Sequence, residues 1–127
     1  MFEYKIKVLR VIDGDTVDAM VDLGFSVHRK IRIRMYGINT PESRTRDLAE
    51  KELGLQAKAR LKEIVESNED NIVLKSYGVG KYGRCLGELF YSVMVGDEWD
   101  EHELKKESIN KQLNAEGHAV QYFGGKR

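Results

Sequence analysis

The chain has little to work with in several respects. It holds one proline, Pro41, and one cysteine, Cys85, in 127 residues, and its 21 basic residues are cancelled by 21 acidic ones. A single cysteine excludes an internal disulfide framework; lying in "RCLGELFY", it reads as a small buried strand residue. Zero net charge counts against nonspecific attraction to a polyanion, since nucleic-acid binders usually carry excess Lys and Arg. No apolar run approaches the roughly 20 residues of a membrane span, so a soluble chain with no membrane partner is expected. The start, "MFEYKIKVLRVIDGD", lacks the basic and then apolar pattern of a secretory leader, which makes a cytoplasmic location the expectation. The length suits one domain, residues 1–127, and a monomer is expected.

The charges that are present are unevenly placed. Residues 1–46 carry nine Lys and Arg against six Asp and Glu, whereas "GDEWDEHELKKE" (96–107) is mostly acidic. A local basic face is therefore compatible with a neutral whole. The acidic stretch reads as a solvated surface loop, with Trp99 as an anchor for the loop or a partner.

Alternation of apolar and polar residues marks strands with one face in a core. It occurs three times early: Tyr4, Ile6 and Val8; Val17, Ala19, Val21 and Leu23; Ile31, Ile33 and Met35. The polar face of the third strand carries Lys30, Arg32 and Arg34. A helix follows in "DLAEKELGLQAKARLKEIVESN", with Ala57, Leu61, Ile64 and Val65 as its apolar stripe. Two starts are open to it: Asp47 and Glu50 resemble a capping box, while Gly54 would delay the helix and leave 43–53 as a loop or turn. Further strands are expected at 71–77 and 85–91, joined by the glycine-rich "GVGKYGR". A second helix around "SINKQLNAE" should end at Gly117, and "YFGGKR" should trail off as a tail. The expected class is β-rich α+β, and the element order is that of a five-stranded OB-fold barrel with two or three helices.

Four short stretches carry candidate chemistry. "VIDGDTV" reads either as a plain turn or as Asp15 presented for a metal. "INTPE" reads as a turn stiffened by Pro41. It could offer a cation the side-chain oxygen of Asn39, the carbonyl of Thr40 and a carboxylate at Glu42, the hard oxygens that calcium favours. Glu42 could equally be a general base. Arg34 and Arg84 each read alone as surface arginines, and together could grip a phosphate from two sides. His28, His102 and His118 lack the close spacing of metal ligands.

Taken in order, "VIDGDTV", "IRIRMYGINTPE", "GVGKYGRCLGEL" and the closing "LNAEGHAVQY" resemble the staphylococcal nuclease (thermonuclease) family from Lys7 to about Tyr122. The resemblance implies an SNase-like OB-fold enzyme that hydrolyses phosphodiester bonds in DNA and RNA with Ca2+. It assigns Asp15, Asn39 and the Thr40 carbonyl to the metal, and Glu42 to activation of the attacking water. Arg34 and Arg84 become the transition-state arginines, and Lys81 and Tyr82 lie near the substrate's terminal phosphate. This chain departs from the pattern at Asn39, where a second metal-binding aspartate is usual, and in the longer acidic connection before Ser108. A nucleic-acid-binding OB module without catalysis is the alternative. The presence of Asp15, Arg34, Glu42 and Arg84 together favours the enzyme.

Overall fold

The computed structural model describes residues 3–79, 84–95 and 103–122. Their elements, in chain order, are β1 (Glu3–Asp13), β2 (Thr16–Asp22), β3 (His28–Met35), β4 (Gly37–Asn39), α1 (Leu48–Ser67), β5 (Ile72–Val79), β6 (Cys85–Val95), β7 (Glu103–Ser108), α2 (Ile109–Ala115) and β8 (Val120–Tyr122). Lys81, Tyr82, Trp99 and His102 lie outside the described residues.

The alternating segments become strands whose apolar sides meet in one core. Val17, Ala19, Val21, Ile33 and Met35 are buried, while Lys30 and Arg32 stay outside. The strands run in the order β3-β2-β1-β5-β6-β7, and β3 also pairs with β6. That last pairing is parallel, matching Ile33 with Cys85 and Met35 with Gly87, and it closes β1, β2, β3, β5 and β6 into a five-stranded barrel. With two helices, this is a β-rich α+β fold of the OB type. Closure covers the second edge of β3 at Ile33–Met35, which shortens the template it offers for unwanted strand pairing.

Outside the ring, β7 pairs antiparallel with β6 from Phe90–Ser108 out to Val95–Glu103. The acidic connection is therefore not loop throughout: residues 103–108 form an edge strand. Its charged residues gave no alternating signal, because the order comes from the backbone of β6, and Lys and Glu are common on strand edges. Two other expectations need correction. Cys85 is half-buried at the start of β6. Tyr122 belongs to β8, which pairs with β4, so the chain is still in a sheet there.

Helix α1 starts at the earlier of its two candidate positions. The Asp47 carboxylate accepts hydrogen bonds from the amides of Ala49 and Glu50, satisfying donors that a helix start leaves open. Gly54 does not interrupt the helix; it is buried within it. A Cβ there would lie 2.4 Å from the Glu42 carbonyl oxygen and 2.7 Å from the Ser43 nitrogen. The missing side chain is what lets α1 rest against the loop after β4. The helix buries Ala57, Leu61, Ile64 and Val65, as its stripe predicts.

Ser108 caps α2 through a hydrogen bond accepted from the Lys111 amide. Its far end closes with His118 N–H on Leu113 O and Gly117 N–H on Asn114 O, with Gly117 at φ 83°. This Schellman arrangement needs the left-handed conformation that glycine adopts without strain. Buried Asn110 fastens α2 to the barrel: its Nδ2 donates to Tyr36 O at 2.8 Å and its Oδ1 accepts from Leu89 N at 3.1 Å. Among the described residues, no helix is long and apolar enough to cross a membrane.

Candidate active site

Three pieces of chain meet where β2 begins and β3 ends. The β1–β2 turn contributes Asp13, Gly14 and Asp15, and each has a separate task. Asp13 accepts a hydrogen bond from Ser43 Oγ, pinning the loop that follows β4. Gly14 makes room, since a Cβ there would fall 2.7 Å from Ala57 Cβ and 3.0 Å from Thr40 Cγ2. Asp15 is 4% exposed, and its carboxylate accepts from Thr16 Oγ1 and from the Thr40 amide, both at 3.0 Å. Its carbonyl accepts from the Met35 amide at 2.8 Å. A buried carboxylate needs such partners, because desolvation penalises its charge.

Arg34 reaches the same point from the end of β3, where it sits opposite Thr16. Its Nη2 is 3.4 Å from Asp15 Oδ2 and donates to Asn39 Oδ1 at 3.3 Å, while Nη1 donates to Met35 O at 2.8 Å. The side chain is only 14% exposed, so it is not a solvated surface arginine. Asn39 ends β4, a strand of three residues held by β8 through the Asn39–Val120 pair. Thr40 follows, buried, and Pro41 and exposed Glu42 come next. The stiff turn around Pro41 is therefore clamped on both sides, by Asp15 at Thr40 and by Asp13 at Ser43.

The structure thus brings together Asp15, Arg34, Asn39 and Thr40, with Glu42 on the same loop. Arg84 stands two residues before Leu86, which is Arg34's partner in the β3–β6 ladder, about 7 Å along the strand from that level. Lys81 and Tyr82 lie outside the described residues. The Asp13–Ser43 clamp has no counterpart in the sequence reading. Nothing local links residues thirty positions apart, and the "DGD" run is satisfied by a turn.

The neighbouring outer surface is also ordered by charge. Asp18 receives two hydrogen bonds from Arg32, at 2.8 and 3.2 Å. That donation holds its carboxyl below the usual range, against the opposing effect of burial.

A closed five-stranded barrel with an acid, an amide and an arginine converging at a strand start defines an OB-fold protein with a polar site at the β1–β2 turn. The family model described as "Staphylococcal nuclease homologue" matches residues 32–127, and the chain belongs to that family. It is similar to "Micrococcal nuclease" from Shigella flexneri, 28% identical over 124 residues, covering 96% of this chain and 62% of the relative. It is also similar to "Protein ParB" from Escherichia coli, 28% identical over 120 residues, covering 94% of this chain and 58% of the relative. The chain therefore spans about three-fifths of the length of the curated relatives it matches.

Proposed function

We propose that the chain is a nuclease that hydrolyses phosphodiester bonds of DNA, RNA or both, using a divalent cation, Ca2+, held at the β1–β2 turn. The observation that carries this reading is the convergence of Asp15, Asn39 and Arg34 beside the clamped Thr40–Ser43 loop. The site's donors are all hard oxygens, and two of them already share one positive group, Arg34 Nη2. That chemistry fits Ca2+, which takes carboxylate, amide and backbone carbonyl oxygens in loose geometry. Asp15, Asn39 and the Thr40 carbonyl would hold the ion. When bound, the cation supplies Lewis-acid stabilisation of a phosphate oxygen.

The chain's own residues do the rest. Arg34 and Arg84 place permanent charge at the phosphate, whose oxygens gain charge as water attacks phosphorus and the P–O bond to the leaving group breaks. Glu42 takes the proton of the attacking water on its carboxylate. By the family resemblance, Lys81 and Tyr82 would serve the substrate's terminal phosphate. To serve the substrate, Arg34 would exchange its contacts with Asp15 and Asn39 for phosphate oxygens, leaving those two residues able to hold the ion.

Asn39 favours a second reading, a nucleic-acid-binding OB module without catalysis, because an amide brings a dipole where a carboxylate would bring a charge. Incubation of the protein with single- and double-stranded DNA and with RNA, in Ca2+ and in chelator, separates the two. Cleavage that needs Ca2+ and is abolished in Asp15→Ala is the expected result. Arg84→Ala should lower kcat by about two to four powers of ten. Tight binding without cleavage in any divalent cation would hand the site to the second reading.

A further inference from the structure

At the end of the β2–β3 hairpin remote from Asp15, residues Gly24–Val27 form a turn closed by Val27 N–H on Gly24 O at 2.9 Å. Its two central residues are Phe25 at φ 53° and Ser26 at φ 63°. Two consecutive positive φ values are the mark of a type I′ turn, which normally takes Asn-Gly. A bulky residue in the left-handed region is a true outlier. Here it is a phenylalanine that is 103% exposed, flanked by exposed Leu23 and Val27. Neither the backbone nor the core gains from an aromatic ring at that position. Outliers of this kind, persisting without structural benefit, point to use.

The surface between this tip and the site carries charge in rows. Strand register sets Lys7, Met20 and Lys30 side by side on one level, and Arg10, Asp18 and Arg32 on the next. These residues share the face of β3 that ends in Arg34, because residues two apart on a strand point the same way. With Asp22 beside His28, this stretch holds four permanent cations besides Arg34, against two carboxylates, in a chain of zero net charge. The line is continuous with Arg34 and does not ring the tip, so its complement is an extended polyanion rather than a bilayer.

We propose that the outer face of the β2–β3 hairpin is a distal subsite for single-stranded nucleic acid, in which Lys7 and Lys30 follow the phosphates and Phe25 stacks on a base. This rests on the nuclease reading of the β1–β2 site. From Arg34 to His28 is six residues of strand, about 20 Å, and Phe25 lies three residues further on. A tetranucleotide seated at the site falls short of the tip, and a 20-mer covers it. Aromatic stacking combined with a basic track is the usual way to hold a single strand without reading its sequence.

The test compares wild type, Phe25→Asn and Phe25→Trp in fluorescence anisotropy with labelled 20-mer and tetramer DNA, in chelator so that nothing is cut. Asparagine suits the left-handed turn, so Phe25→Asn should melt no lower than wild type, and lost binding will not be lost folding. Expected is about a tenfold weaker hold on the 20-mer, a much smaller change on the tetramer, and recovery in Phe25→Trp. Equal 20-mer binding by wild type and Phe25→Asn overturns the subsite. So does Phe25-dependent flotation with phosphatidylserine vesicles in place of 20-mer binding, or a wild type that does not bind the 20-mer. Phe25-dependent binding by a protein that cleaves nothing in Ca2+ keeps the subsite and removes the nuclease reading; cleavage with no Phe25 effect does the reverse.

Discussion

Arg34 Nη2 lies 3.4 Å from Asp15 Oδ2, an ion pair that ties the end of β3 to the start of β2. Both side chains are largely shielded, at 14% and 6% exposed. The arginine thus compensates a carboxylate that water cannot reach well. It is also a rival for any cation that comes to the same oxygens.

That rivalry has a measurable consequence. Arg34→Met removes the charge and keeps much of the volume, leaving Asp15 without its cation. Loss of one partner from a shielded pair leaves an uncompensated charge, so the metal-free variant should melt lower than wild type. Ca2+ should restore more stability to the variant than to wild type, and calorimetry should show it binding several-fold tighter. Turnover should nevertheless fall by about two to four powers of ten, because one of the two arginines proposed to stabilise the transition state is gone. Equal Ca2+ affinity in the two proteins would mean that Arg34 and the ion do not compete.

Asn39→Asp changes the same cluster in the opposite sense. Ligand charge is a main determinant of Ca2+ affinity, so the variant should bind the ion more tightly and be more active at limiting Ca2+. From motif spacing alone, the extra carboxylate beside Asp15 and Glu42 should destabilise the metal-free protein by like-charge repulsion. The structure changes that expectation, because Arg34 Nη2 already donates to Asn39 Oδ1 at 3.3 Å. A carboxylate there gains an ion pair that offsets the repulsion, and the melting temperature without metal should stay within about 2 °C of wild type, the shift of roughly half a kcal/mol. Native protein binding Ca2+ as tightly as the variant would exclude position 39 as a ligand.

Gly54 offers a test of how the helix supports the site. In an exposed helix, Gly→Ala gains about 1 kcal/mol of propensity. Here the new Cβ meets the backbone of Glu42 and Ser43 at 2.4–2.7 Å, and backbone cannot swing aside as a side chain does. Gly54→Ala should therefore cost about 1–3 kcal/mol by denaturant unfolding, the usual range for overpacking. It should also lower kcat more than it raises KM, since the displaced segment carries Glu42. A variant as stable as wild type would show that α1 and the loop yield easily.

How far the sequence could be read follows from where each signal resides. Val17, Ala19 and Val21, and Ile33 with Met35, announce their strands because burial on one side imposes period two. Asp47 announces a helix start because its carboxylate serves the next amides. Gly54 was ambiguous because propensity is local, whereas its reason for being glycine is contact with Glu42, twelve residues earlier. β7 left no trace, since an edge strand with charged residues takes its order from its neighbour. The convergence of Asp15, Arg34, Asn39 and Thr40 was legible through the resemblance that their motifs carry. The pairing of Arg34 with two prospective metal ligands was not, because spacing gives proximity and not which partner a guanidinium chooses. Asp13 and Ser43 were invisible for a related reason, their link being purely tertiary.

The joint between the two helices should respond to pH. Arg60 on α1 donates to both carboxylate oxygens of Glu116 just beyond α2, through Nε at 2.6 Å and Nη2 at 2.9 Å. Arg60's hydrogen bond, followed by that of Gln112, lowers the Glu116 carboxyl from 4.5 to about 2. The folded state therefore binds this proton less readily than the unfolded chain. Stability from the pair is fully present above pH about 4.5 and is lost as pH falls towards 2, while Arg60 stays charged throughout. The side chains are 29% and 31% exposed, and surrounding water screens the pair, so its contribution is about 1 kcal/mol, the upper end for such contacts. Glu116→Gln should melt about 4 °C lower than wild type at pH 7. The gap should close between pH 4.5 and 2, and it should narrow in high salt at neutral pH. Thermal melts of both proteins across that range are the measurement. A gap that persists undiminished at pH 2 would show that Glu116 stabilises the joint by packing and not by charge.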